Sequence, residues 1–301
     1  MDLSNELDIP HIQWFPGHMK KAQRLVEENL KLVDIIIELR DARLPSSSAN
    51  LMLTKIISHK MRIIALNKAD LADLRSTKLW LKSFKEQNVV AVAIDSISGH
   101  GLKNLIKSVE EIAHSKKEKV SQKTKVMRAI RCMVVGTPNV GKSSLINRLA
   151  GSAKTKTENR PGVTRAKQWI KVNSRLEILD MPGILWPKFD DQSVALKLAF
   201  TGAINDEIYD KERVAILLAE FLRAKYPQKL VDRFHLTSLD DLPTNGQDIL
   251  EFLGRKRGFL LKGGTIDIEK TVTMLFNEFR SGKLGKITLE LPPVSTIGEE
   301  R

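Results

Sequence analysis

An apolar run, Cys132 to Val135, leads into "GTPNVGKS", Gly136 to Ser143, and a helix-forming segment, "SSLINRLAG", follows at once. No other stretch constrains the fold as much. The pattern G-x-x-x-x-G-K-[ST] needs a strand before it and a helix after it. Its glycines let backbone N–H groups wrap an anion, and the helix N-terminus points at the same place. Such a loop opens on the crevice at the carboxyl edge of a parallel sheet. The rest of the first 187 residues agrees. Short apolar runs at Val33–Leu39, Met61–Leu66, Val89–Asp95, Cys132–Gly136, Lys167–Val172 and Leu176–Asp180 read as strands. Amphipathic segments at Gly17–Leu32, Asn50–His59, Ser76–Gln87, Leu102–His114 and Ser143–Gly151 read as helices between them. That alternation implies a doubly wound, mostly parallel α/β sheet.

Four further motifs sit on loops, three of them at the ends of strands. In the phosphate loop, Gly136, Pro138, Asn139, Val140, Gly141 and Ser144 form the cradle, Lys142 brings positive charge to the terminal phosphates, and the Ser143 hydroxyl can ligate Mg²⁺. "DMPG", Asp180 to Gly183, would hold Mg²⁺ through Asp180 and meet a γ-phosphate with the Gly183 N–H. "PGVT", Pro161 to Thr164, carries the expected switch threonine, Thr164, whose hydroxyl reaches Mg²⁺ when γ-phosphate is present. "NKAD", Asn67 to Asp70, chooses the base. Asp70 can accept from the N1–H and 2-amino group of guanine, Asn67 contacts the other purine edge, and the Lys68 stem covers the base face. A site built to hydrogen-bond guanine rejects adenine strongly. Asp95 and Ser96 in "DSISG" sit where a loop backing the base would lie. Each short motif alone could be an ordinary turn; together they describe a GTP- and GDP-binding P-loop domain.

Their order is unusual. The base-reading loops come first, then the phosphate loop, then the two switches. A parallel sheet fixes where strands lie and not where the chain starts. Cutting such a domain after its second switch and joining the old ends keeps every loop, because the ends of compact domains often lie close together. Between Ser115 and Arg131 there are seven Lys or Arg against one Glu, and this basic stretch reads as the join.

Beyond about Gln192 the pattern becomes helical, as in "KERVAILLAEFLRAKY" and "IEKTVTMLFNEFRSG". The expected organisation is an N-terminal extension at 1–11, a circularly permuted P-loop GTPase domain at 12–187 and a smaller all-helical domain at 188–301. The formal net charge of +13 favours an anionic partner, nucleic acid first. Residues 254–286 hold eight Lys or Arg and three acids. The single cysteine, Cys132, cannot form an intrachain disulfide and reads as a small core residue. The absence of a long apolar run and of an apolar leader favours a cytoplasmic protein that does not enter a membrane.

The chain resembles the YlqF/RbgA family of circularly permuted GTPases. The likeness runs through "IQWFPGHMKKA", "ELRDARLP", "NKADL", "GTPNVGKSSLIN", "RPGVT", "ILDMPGILWPK", "GRKRGFLLKGG" and "FRSGKLGKITLELP". The resemblance implies a GTPase acting late in assembly of the large ribosomal subunit, stimulated by that subunit, with a helical domain that helps contact ribosomal RNA. A monomer is the default expectation. The alternative is an RNA-binding module gated by nucleotide, its hydrolysis incidental. The residue after Gly183 is Ile184, which cannot orient an attacking water. The resemblance points instead to His18 in "FPGH"; the other role open to it is capping or packing the first helix. It likewise suggests that Asn139 helps hold K⁺, against a plain loop-stabilising role. "RDAR", Arg40 to Arg43, reads either as an RNA contact or as an internal ion-pair loop.

Overall fold

The computed structural model describes residues 12, 17–120, 129–151, 168–181, 189 and 191–293, with the side chains of 17–23, 51–52, 115–120 and 168 left out. Thr164, Gly183 and Ile184 and the extension at 1–11 therefore lie outside the described residues, and His18 is described in its backbone alone.

The described chain falls into two compact units. The larger is a six-stranded sheet in the order β3-β2-β1-β4-β6-β5. In chain order its elements are α1 (Gly17–Leu30), β1 (Ile35–Asp41), α2 (Leu51–Ile56), β2 (Met61–Asn67), α3 (Leu74–Glu86), β3 (Val90–Ala93), α4 (Leu102–Val120), β4 (Ile130–Gly136), α5 (Lys142–Leu149), β5 (Gln168–Lys171) and β6 (Leu176–Asp180). Five strands run parallel, and β5 pairs antiparallel with β6 at one edge. The β-branched runs of the central strands β1 and β4 are buried on both faces, as a covered parallel sheet requires. Ile35, Ile37 and Leu39 of β1 join Cys132 and Val134 of β4 and Leu105 and Val109 of α4 in one apolar layer. On the opposite side Ile64 and Leu66 of β2 pack with Trp80 and Phe84 of α3.

α4 runs to Val120, six residues into the stretch read as connector. Lys and Glu are good helix formers, so high charge there did not end the helix.

The smaller unit contains α6 (Gln192–Phe200), α7 (Lys211–Lys225), α8 (Pro227–Phe234), α9 (Gly246–Lys256) and α10 (Ile268–Arg280). Asp191, Asp210, Asn245 and Asp267 cap four of these helices with their side chains. Glu278 of α10 is buried and accepts from Arg233 at 2.6 Å and Arg257 at 2.9 Å. Arg280 ties α10 to the Asp206 turn at 2.7 Å and to the carbonyls of Ala199 and Phe200. Ile12 belongs with this unit, its N–H donating to Gln192 at 2.9 Å.

The expected domain limits differ from these units at the C-terminal end. The helical unit stops at Ile287, and the described residues from Thr288 onward return to the sheet unit. Its described residues have no regular secondary structure, so periodicity gives no signal for them. Among the described residues no helix is long and apolar enough to cross a membrane.

Candidate nucleotide site

The phosphate loop begins where β4 ends. Gly136 pairs with Leu39 of β1, and a Cβ there would stand 2.5 Å from the Leu39 carbonyl oxygen. Only glycine lets the two strands approach so closely. Gly141 has φ +99 and sits as the N-cap of α5, with its Cα face 2.3 Å from the Asn67 amide nitrogen if a Cβ were added. Asn139 also takes a left-handed backbone, φ 55, so successive N–H groups turn inward as a nest. Pro138 and Val140 are buried in the loop, and Ser143 and Ser144 are half-buried on the first turn of α5.

Lys142 is 7% exposed, and its ammonium donates to the carbonyls of Gly136 at 3.1 Å and Thr137 at 2.8 Å. Burial pushes its pKa down to about 8, with Asp180 opposing that shift. Asp180 ends β6 and is 2% exposed. Burial raises its pKa to about 6, against the pull of Lys142. Its Oδ1 is buried and has no hydrogen-bond partner among the described residues. A buried carboxylate oxygen without a partner is costly unless a cation or donor completes it. That orphan, close enough to feel the charge of Lys142 at the start of α5, fits Mg²⁺, which is held by one or two protein oxygens together with substrate phosphate and water. Among the described residues there is no cluster of three or more His, Cys, Asp or Glu that would make a self-sufficient metal cage.

The base-reading loop is tied directly to the phosphate loop. Asn67 donates from Nδ2 to the Val140 carbonyl at 2.8 Å, and its Oδ1 accepts from the Ser96 N–H at 3.0 Å and hydroxyl at 2.7 Å. The purine-edge role expected of Asn67 is thus narrowed: its oxygen is committed to Ser96, and only its amide nitrogen can serve a base as well. Lys68, at φ 59, donates to the Asn139 carbonyl at 2.7 Å and lies 3.2 Å from the Asp41 carboxylate. Asp70 is exposed beside them. Partial burial and the negative charge of Asp95 raise its pKa, so donors such as those of guanine would be welcome there. Asp95 itself is spent on its loop, accepting from the Ile97 N–H at 2.8 Å and the Ser98 N–H at 3.2 Å. The structure therefore brings together three motifs that are distant in the chain, and the described part of the fourth, Asp180, ends the strand beside β4.

Two contributors were not legible as site residues. Asp41 is one of them. Burial alone would raise its pKa, but the Arg43 and Lys68 cations and Arg43's hydrogen bonds hold the carboxyl well below its ordinary range. Arg43 meets it at 3.0 Å and 2.8 Å and is 1% exposed; Arg40 pairs with Glu38 at 2.7 Å. "RDAR" is accordingly an internal ion-pair loop, and its arginines are too buried to reach RNA. Arg148 of α5 is the other, donating to the Ser98 carbonyl at 2.6 Å and so lashing the phosphate-loop helix to the base-backing loop. The D-x-R spacing was the one signal for the first; nothing in the sequence marks the second.

Comparison with known proteins places these features in context. A family model described as a 50S ribosome-binding GTPase matches residues 131–234. Ribosome biogenesis GTPase A of Bacillus cereus is 49% identical over 281 residues, 93% of this chain and 94% of that protein. Its counterpart in Thermotoga maritima is 33% identical, covering 93% and 95% of the two chains. Among solved structures, GNP-bound YlqF from T. maritima superposes with a TM-score of 0.62 at 30% identity, covering 91% of this chain and 99% of the other.

Proposed function

The chain belongs to the ribosome biogenesis GTPase A family, and from that premise we propose that it hydrolyses GTP to time or release a step in assembly of the large ribosomal subunit. The observation that carries the proposal is the Asn67 amide, which bonds the phosphate loop at Val140 and the base-backing loop at Ser96 at once. Such a joint makes phosphate binding and guanine recognition one event. In this reading the protein works as a cytoplasmic monomer whose helical unit contacts ribosomal RNA through the basic stretch at 254–286, where Lys and Arg neutralise phosphate charge.

The roles divide as follows. Lys142 exchanges its loop carbonyls for the terminal phosphates, whose negative charge favours the ammonium. The N–H groups of 136–144 cradle the phosphate oxygens. Ser143, Thr164 and Asp180 would hold Mg²⁺, and Asn139 would help hold K⁺; bound there, the ions offset charge developing between the phosphates. Gly183 would sense the γ-phosphate. Ile184 leaves the attacking water without a partner on this loop, so His18 supplies the positioning group once the subunit is bound, and hydrolysis is slow without it.

The direct test is GTP hydrolysis in K⁺ buffer, with and without purified large subunits. The expected result is strong stimulation by the subunit, lost in His18→Ala with GTP binding intact, and weakened when Na⁺ replaces K⁺. Binding without stimulation would overturn the assembly-GTPase reading in favour of a nucleotide-gated RNA-binding module.

A further inference from the structure

The returning segment at 288–290 is fastened to both flanks of the base-reading loop. On one flank the Asp73 N–H donates to the Thr288 hydroxyl at 3.0 Å. Asp73 caps α3 and lies three residues beyond Asp70. On the other flank the Leu289 N–H donates to the Arg43 carbonyl at 2.7 Å. The Glu290 carboxylate accepts from the N–H groups of Ser46 and Ser47, the latter at 2.9 Å, and from the Ser47 hydroxyl at 2.6 Å. Its own carbonyl accepts from the Trp80 indole at 3.0 Å. A charged acceptor makes stronger hydrogen bonds than a neutral one, and here it meets three donors.

What this loop holds is the Lys68 side of the site. Residues 41–48 are wound by the Asp41 N–H to Ser48 bond at 3.1 Å and the Leu44 N–H to Asp41 carbonyl bond at 3.0 Å. Asp41 takes a two-pronged bond from Arg43 and stands 3.2 Å from the Lys68 ammonium, which in turn reaches Asn139 at 2.7 Å. Each link is a hydrogen bond or ion pair between buried or half-buried groups. The segment is thus linked to Lys68 through Arg43 and Asp41, and it holds Asp73, three residues beyond Asp70.

We propose that Thr288, Leu289 and Glu290 form a strap that positions the guanine-reading residues Lys68 and Asp70, so that base affinity and base discrimination depend on a segment more than 200 residues away in the chain. The proposal rests on the reading of Asn67–Asp70 as the guanine site. These are positioning residues, acting through Lys68 and Asp70. Their placement has a reason in the chain's path. The chain re-enters the sheet unit at Thr288, whose hydroxyl meets Asp73 just beyond the base-reading loop.

The test is stopped-flow release of fluorescent GDP and IDP from the full-length protein. IDP lacks the 2-amino group that Asp70 would accept. Glu290→Ala is expected to speed GDP release about 10-fold, the loss of roughly one charged hydrogen-bond set, and to narrow the GDP-over-IDP preference. Thr288→Val is expected to do the same more weakly, about 3-fold, and Thr288→Ser, which keeps the acceptor, to restore the wild-type rate. The Michaelis constant for GTP should rise while the saturated rate stays put. A strap that only stabilised the fold would lower the melting temperature and leave the GDP/IDP ratio unchanged; that result, or unchanged release in folded Thr288→Val, overturns the proposal. Wild-type protein with no preference for GDP over ADP overturns the guanine-site reading beneath it.

Discussion

The ammonium of Lys68 donates to the main-chain carbonyl of Asn139 at 2.7 Å, joining the base-reading loop to the phosphate loop across 71 positions of chain. The lysine is therefore as much a brace between loops as a cover for the base. Lys68→Met keeps most of the apolar stem and removes the brace. Nucleotide affinity should fall about 10- to 100-fold, the worth of a charge-assisted bond, and calorimetric titration with GDP would measure it. Unchanged affinity would mean that the brace is incidental.

Asp41 and Arg43 form a pair with side chains 5% and 1% exposed. Asp41→Asn removes the negative charge and leaves the Arg43 guanidinium buried beside a neutral amide. The expected cost is about 3–5 kcal/mol of unfolding free energy, read by urea denaturation of the sheet unit's signal. Replacing both with apolar residues of similar volume should recover much of that loss, since it removes the uncompensated charge along with its partner.

Two glycines of the same loop–helix region should respond in opposite ways. Gly136→Ala drives a methyl to 2.5 Å from the Leu39 carbonyl, so β4 and β1 must part at the mouth of the phosphate loop. Nucleotide binding should be lost. Gly151→Ala meets nothing within 4 Å and bears only the strain of φ +68. It should cost about 1–2 kcal/mol of stability and leave binding as it was. Equilibrium titration beside thermal melting separates the two effects.

Asp206 gives the helical unit a pH dependence. Burial would raise its pKa, but hydrogen bonds from Arg280 and Tyr209 outweigh burial and hold it below the ordinary value. A carboxyl depressed in the folded state contributes stability above its unfolded pKa, about 3.9. The contribution fades as pH falls through the lower folded value. Asp206→Asn should therefore lower the melting temperature by about 2–4 °C at pH 7, for a half-exposed pair. The difference from wild type should shrink as the buffer is taken below pH 4.

The sheet was legible because its parallel strands are apolar runs, those at its centre buried, and each ends in a motif. "CMVVG" and "MRIIAL" announce both their burial and their loops. Where two roles were open, geometry chose. Asn67, expected to contact a purine edge, also joins the base-reading loop to the phosphate loop and the base-backing loop. Arg40 and Arg43 had two readings, and their near-complete burial selected the internal one. What escaped the sequence shares a physical cause. Thr288–Glu290 and Arg148 act through hydrogen bonds to residues far away in the chain, and neither periodicity nor composition registers such contacts. The helical unit showed α7 and α10 clearly, through long one-faced apolar patterns, while the eight-residue α8 was too short to stand out.

The neighbouring of β1 with β4 places the seam of the nucleotide site between early and late parts of the chain. During synthesis the base reader leaves the translating ribosome first. Asn67 must wait for Val140, 73 residues later, before its amide finds its partner. At about 5–20 residues per second that interval is about 4–15 s. Until then β1 has one sheet edge uncovered and no phosphate loop to close on. Guanine nucleotide, present throughout the cell, can first stabilise the fold only when the second half emerges, so ligand capture marks the end of folding of this unit and cannot guide its beginning.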